Sequence, residues 1–214
     1  MVKTSTALQI AEFLLEIKAI KLQPANPFTW ASGWKSPIYC DNRISLSYPQ
    51  IRTFIRDALS ESIRNNFPGV EAIAGVATAA IPQGALVAEN LNLPFVYVRS
   101  SPKDHGRENL IEGEIKPGQK IVVIEDLVST GKSSLKAVEA LRDAGCTVMG
   151  LISVFNYGFV QAENNFNESN CKLVSLCNYD DLLKCALESG YIQKTELETL
   201  EAWRKAPQTW GQNQ

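Results

Sequence analysis

The chain has one histidine, and none of its five cysteines forms a Cys-x-x-Cys pair. Neither a tetrahedral zinc set nor a structural metal is therefore expected. Cys40, Cys146, Cys171, Cys177 and Cys185 are odd in number and scattered, which argues against a disulfide framework and for a reducing compartment. Long apolar runs are missing too. No stretch approaches the roughly 20 apolar residues that a membrane crossing needs. The opening segment sets Leu8, Ala11, Leu14, Leu15, Lys18 and Ala19 at helical spacing, broken by Glu12 and Glu16. That is the rhythm of an amphipathic helix and not of a secretory core. The expectation is a soluble, cytoplasmic protein. Charge of one sign is also scarce: 21 Lys and Arg stand against 23 Asp and Glu. No overall field attracts nucleic acid, so attraction for an anion has to be local.

What is present is a chain of 214 residues, 45% hydrophobic and 21% charged, enough for one globular domain. No repeat, low-complexity tract or linker divides it. Helical and strand patterns alternate through the middle, as in a mostly parallel α/β sheet flanked by helices. The expected layout is an irregular aromatic-rich lobe over about 1–48, an α/β core over about 49–190, and a C-terminal helix within 191–214. A helix is expected over 49–67, strands at VEAIAGV, PFVYV, KIVVIED and TVMGLISVF, helices at IPQGALVAENL and SSLKAVEALRDAG, and an edge strand at CKLVSLC. Two helices, within NYDDLLKCALESG and TELETLEAWRKA, are expected to finish the chain.

The most informative stretch is KIVVIEDLVSTGKSS, residues 120–134. Ile121 to Ile124 read as a buried strand that ends in Glu125 and Asp126. Two carboxylates are costly inside such a sheet unless paired, so they are expected to emerge at its carboxyl edge, where ligands bind in open α/β folds. The following Leu127, Val128, Ser129, Thr130 and Gly131 form a turn into a helix expected to open at Ser133. Backbone N–H groups and hydroxyls converging at a helix N-terminus suit a phosphate. Gly131-Lys132-Ser133 invites a nucleotide P-loop reading. That motif needs a glycine five positions before its Gly-Lys, where this chain has Asp126. An acidic pair before a phosphate cup suits a sugar monophosphate, with carboxylates on ribose hydroxyls. The bland alternative is an ordinary strand–turn–helix with solvated acids.

The pattern of apolar strand, two acids and a Thr-Gly loop resembles the type I phosphoribosyltransferases, and a second segment narrows the likeness. Residues 99–113, RSSPKDHGRENLIEG, look like the catalytic loop of orotate phosphoribosyltransferases, with Arg99, Lys103, Asp104, His105 and Gly106 matching. Read without the family, a long polar loop with cations between two buried strands is commonly a lid or binding loop. The small residues of GVATAAIPQGALVA (75–88) allow close backbone approach to a diphosphate. The segment FTWASGWKSPIYCDNR (28–43) looks like the orotate-side lobe, where Tyr39 suits stacking on a pyrimidine and Lys35 suits an anionic oxygen.

The resemblance implies the type I phosphoribosyltransferase fold with a small N-terminal hood, and transfer of a phosphoribosyl group from 5-phosphoribosyl 1-diphosphate to orotate. It implies a catalytic set of Lys103, Arg99, His105 and Asp126. Phosphoribosyl diphosphate is then bound by Arg99, Lys103, His105, Glu125, Asp126, Leu127, Val128, Ser129, Thr130, Gly131, Lys132 and Ser133. Orotate falls to Ser129, Lys35 and Tyr39. Mg²⁺ is expected as cofactor, held mainly by substrate with no direct protein ligand, and His105 either donates a proton or only a hydrogen bond. A homodimer is implied, with loop 99–113 shared across the interface. Cations found in enterobacterial members are missing at Ala31, Ala79, Ser100 and Asn156, which leaves open which residue reads the orotate carboxylate. The rivals are a phosphoribosyltransferase for a purine or uracil base, which would not need the Lys-Asp-His-Gly loop, and a non-catalytic sensor of phosphoribosyl diphosphate. A receiver domain would lack the phosphate cup.

Overall fold

A computed structural model describes residues 5–30, 32–101 and 110–211. Helix α1 (Thr6–Glu16) begins at Ser5, whose hydroxyl oxygen accepts the Leu8 N–H, and buries Ile10, Ala11, Leu14 and Leu15. Burial of each large apolar side chain contributes roughly 1.5–3 kcal/mol. The apolar rhythm outlasts the helix. Lys18 takes a left-handed φ of 58°, and Ala19 is buried in the approach to strand β1 (Ile20–Leu22).

The lobe is made of two small antiparallel pairs. Strand β2 (Phe28–Thr29) pairs with β3 (Lys35–Ser36), and β1 pairs with β4 (Ile38–Cys40). A 3₁₀ turn, Asn42–Ser47, leads into α2 (Pro49–Asn66), where Pro49 fits the first helical turn because no intrahelical N–H is needed there. Helix α1 packs on the core edge, against the last strand of the sheet and the helix that follows it.

The core follows as β5 (Ala72–Val76), α3 (Ile81–Leu91), β6 (Phe95–Val98), β7 (Ile111–Glu112), β8 (Lys120–Val128), α4 (Lys132–Asp143), β9 (Thr147–Asn156), α5 (Val160–Glu168), β10 (Leu173–Asn178), α6 (Tyr179–Glu188) and α7 (Lys194–Lys205). The sheet order is β10-β9-β8-β5-β6-β7, parallel except for β7, which runs antiparallel to β6. The unit β5–α3–β6 steps one way along the sheet and β8–α4–β9 steps the other. Right-handed crossovers therefore put α3 and α4 on opposite faces. With both faces covered, β5 is buried throughout and β8 from Ile121 to Glu125.

Three differences from the sequence reading follow from local physics. Strand β8 continues two residues past the acids, because Leu127 and Val128 pair with Phe155 and Asn156 of β9. Helix α4 opens at Lys132 behind Gly131, one residue before Ser133. Helix α5 has no counterpart among the expected elements: VQAENNFNE is rich in weak helix formers, and only Ala162 and Phe166 are buried. The five cysteines are free, four of them buried and Cys40 half-buried. Among the described residues no helix is long and apolar enough to cross a membrane.

Candidate active site

Strand β5 has β6 on one side and β8 on the other, so the chain leaves it in two directions and opens a crevice at the carboxyl ends of the strands. Around it stand residues 77–80 after β5, Arg99 after β6, and the β8–α4 loop. Ala77, Arg99, Ser100, Lys132, Ser133 and Lys136 line a cavity of about 590 Å³ there.

The β8–α4 loop is held from behind. Gly131 has φ +78°, and a Cβ at that position would lie 2.7 Å from Cε2 of Phe166. A side chain there would meet both a left-handed backbone and the aromatic ring of α5. From the same helix, the Asn165 side-chain amide donates to the Thr130 carbonyl at 2.8 Å. Among the described residues no side chain caps α4, so its first-turn N–H groups and the positive end of its dipole are available to an anion.

The acids do not emerge as a pair. Glu125 is 5% exposed. Its Oε2 accepts the Ser134 hydroxyl at 2.9 Å, and its Oε1 accepts the Asp126 N–H at 3.1 Å. Glu125 reaches Ser134 on α4, and its carboxyl also stays within hydrogen-bonding reach of the half-buried Asp126 side chain. The sequence expectation is corrected here: a carboxyl can stay inside this sheet because Ser134, on the buried face of α4, gives it a donor. Burial, reinforced by the charge of Asp126, pushes Glu125 well above the usual carboxylate range. Half-buried Asp126 is also raised, by burial, against hydrogen bonds and the nearby Arg43 charge that pull it down.

The lobe touches this strand through Asn42. Its Nδ2 donates to the Asp126 carbonyl at 2.7 Å, and its Oδ1 lies 3.2 Å from the Cys40 Sγ donor. Arg99 closes the base of the following loop: its N–H donates to the Leu110 carbonyl at 2.8 Å, and Nη1 lies 3.7 Å from Oε1 of Glu112.

Residues 46–179 match the phosphoribosyl transferase domain family. An orotate phosphoribosyltransferase of Porphyromonas gingivalis is 63% identical over 202 residues, 94% of this chain and 96% of the relative. The chain belongs to the orotate phosphoribosyltransferase family. Among solved structures, the Aeropyrum pernix orotate phosphoribosyltransferase superposes with a TM-score of 0.74 at 28% identity, covering 86% of this chain and 99% of that one. Leishmania donovani UMP synthase superposes at 0.79 with 27% identity, over 92% of this chain and 42% of that longer one.

The type I phosphoribosyltransferase fold expected from sequence is thus the one observed. Within it, the orotate phosphoribosyltransferase frame brings Arg99 and the stretch from Glu125 to Ser133 to one sheet edge. Val128 is fully buried and its carbonyl accepts the Tyr157 N–H, so its side chain serves the core. Leu127, Ser129 and Thr130 are half-buried, and Lys132 and Ser133 are exposed at the start of α4. Lys35 and Tyr39 lie on the lobe. The Lys35 Nζ donates to the Thr29 hydroxyl oxygen at 2.9 Å, and the Tyr39 ring is 5.6 Å from that of Phe28. Lys103, Asp104, His105 and Gly106 lie outside the described residues, as does Ala31. Sequence reasoning missed Asn42 and Ser134. A hydroxyl in the apolar row Ser134, Ala137, Val138, Leu141 is the signal that marks the second.

Proposed function

We propose that this chain joins orotate to 5-phosphoribosyl 1-diphosphate, giving orotidine 5′-monophosphate and diphosphate in pyrimidine nucleotide synthesis. The observation that supports this beyond the family match is the uncapped start of α4, fixed behind Gly131, next to the half-buried Asp126 at the switch point of the sheet. The cup is suited to the 5′-phosphate, and Asp126 to the ribose hydroxyls. As the bond from C1 to the diphosphate breaks, positive charge grows on the sugar and negative charge on the leaving group. Asp126 favours the first, and Arg99 together with Lys103 and His105 favours the second. The nitrogen of orotate then bonds to C1.

Magnesium fits this donor set. Asp126 offers a hard oxygen, while both oxygens of Glu125 are engaged, which suits an ion held mainly by the substrate's own oxygens. Bound there, it would neutralise charge on the diphosphate. Lys35 and Tyr39 are assigned to the base side, with Ser129 at the junction of base and phosphate. The working unit in this reading is a cytoplasmic homodimer in which residues 99–113 serve the partner's site.

The test is spectroscopic. Purified protein with orotate, 5-phosphoribosyl 1-diphosphate and Mg²⁺ should consume orotate absorbance, and should leave uracil and hypoxanthine unchanged. No loss of orotate, or faster turnover of hypoxanthine, would reject the reading.

A further inference from the structure

Helix α7 lies beyond the phosphoribosyl transferase match at 46–179, yet its Trp203 is fully buried. The indole packs among four rings: Trp30 of the lobe at 5.6 Å, Tyr157 after β9 at 5.6 Å, Phe159 at 5.4 Å and Tyr179 of α6 at 5.6 Å. Its Nε1 donates to the carbonyl of Lys35 at 3.2 Å. After α7 the chain turns back, and a Cβ at Gly211 would lie 3.2 Å from the Cβ of Lys35. The C-terminal segment thus meets the β3 backbone at one point and the Lys35 side-chain stem at another.

Helix α7 is also fixed to the core. The Tyr179 hydroxyl donates to the Leu200 carbonyl at 3.1 Å, Arg204 Nη1 is 2.7 Å from Asp180 Oδ1, and the Arg204 guanidinium lies 5.5 Å from the Tyr179 ring centre. By contrast, β2 and β3 are two residues each and, among the described residues, pair only with one another. A two-stranded hairpin this short has little stability of its own. Its position therefore depends on what packs against it.

We infer that Trp203 is a positioning residue for the base-binding lobe: it ties β3, and with it Lys35, to the core, so that the C-terminal helix sets affinity for the base and not for the sugar diphosphate. This rests on the assignment of Lys35 and Tyr39 to the base side. The sugar-phosphate residues stand on β8 and α4, which have their own support from α5. Loosening the lobe should leave them in place.

The experiment compares Trp203→Phe with the unaltered protein under steady-state conditions, varying each substrate in turn. Phenylalanine keeps most of the ring packing and removes the N–H donor. The KM for orotate should rise about five- to tenfold, the size expected for a lost buried hydrogen bond. The KM for 5-phosphoribosyl 1-diphosphate should stay within about twofold, because the supports of β8 and α4 are untouched. Arg204→Ala, which cuts a second anchor of α7, should shift the orotate KM in the same direction. Thermal unfolding of both variants checks that they fold. An unchanged orotate KM in a folded Trp203→Phe protein, or equal rises in both KM values, would overturn the inference. Because the unaltered enzyme is assayed first, failure of the orotate reading itself appears separately, as absence of turnover before any substitution.

Discussion

Replacing Ser134 by alanine removes a side-chain donor to the buried carboxyl of Glu125, a contact of 2.9 Å from a residue only 1% exposed. A buried acceptor left short of a donor costs about 1–3 kcal/mol, which for a chain of this size lowers Tm by roughly 2–4 °C per kcal/mol. The cost should depend on pH, and its sign follows from the shift. Burial raises Glu125 and the Ser134 hydroxyl pulls it back down, so the alanine variant holds its proton to still higher pH. The two proteins therefore differ least in acid, where Glu125 is protonated in both. The variant loses further stability as pH rises through the native titration of Glu125. Urea denaturation at pH 5 and pH 8 measures this directly. A cycle with Glu125→Met isolates the contact: in that background Ser134→Ala should be nearly neutral, because both partners are then apolar. If Ser134→Ala costs the same in the Glu125→Met background as in the unaltered protein, or if its cost shrinks at pH 8, the hydrogen bond does not hold the acid and the account of why Glu125 stays inside β8 fails.

Other substitutions probe the remaining parts of the site. Gly131→Ala should destabilise by about 2–4 kcal/mol, from a left-handed alanine and overpacking against Phe166, and should raise the KM for 5-phosphoribosyl 1-diphosphate. Unchanged stability would mean the loop is not confined as described. Asn42→Asp, the same shape with a donor exchanged for an acceptor facing the Asp126 carbonyl, should be more harmful than Asn42→Ala. Unfolding measured from pH 5 to pH 8 should show the gap widening as the new acid ionises, and a constant gap would remove charge from the explanation. Lys103→Ala should cut turnover strongly with little change in ribose-phosphate binding. Mixed with Asp126→Ala chains it should regain activity through hybrid dimers, and no recovery would argue against shared sites.

The core was largely legible because its signals are continuous. The four-residue run Ile121–Ile124 marks β8, Pro82 and the span to Leu91 mark α3, and the acids followed by Thr130-Gly131 mark the ligand edge. What escaped reading depends on partners distant in the chain. Whether Glu125 faces in or out turns on Ser134. The link from Asn42 to Asp126 spans 84 positions. Strands β1 to β4 are two or three residues long, too short for any periodicity to show. The contacts of the C-terminal helix are not legible locally, because Trp203 meets Trp30, Lys35 and Tyr179, which no local pattern connects to it.

The cysteines carry a practical consequence. Burial raises the thiols of Cys40, Cys146, Cys171, Cys177 and Cys185 above their ordinary values, so little thiolate exists in the native protein near neutral pH. An alkylating dye would find its targets chiefly when the chain opens, and labelling speed would then follow the opening of each segment. Cys146 follows α4, Cys177 lies on edge strand β10 and Cys185 on α6, so a mass-resolved labelling series on the unaltered protein would chart which parts of the sheet and its helices come apart first.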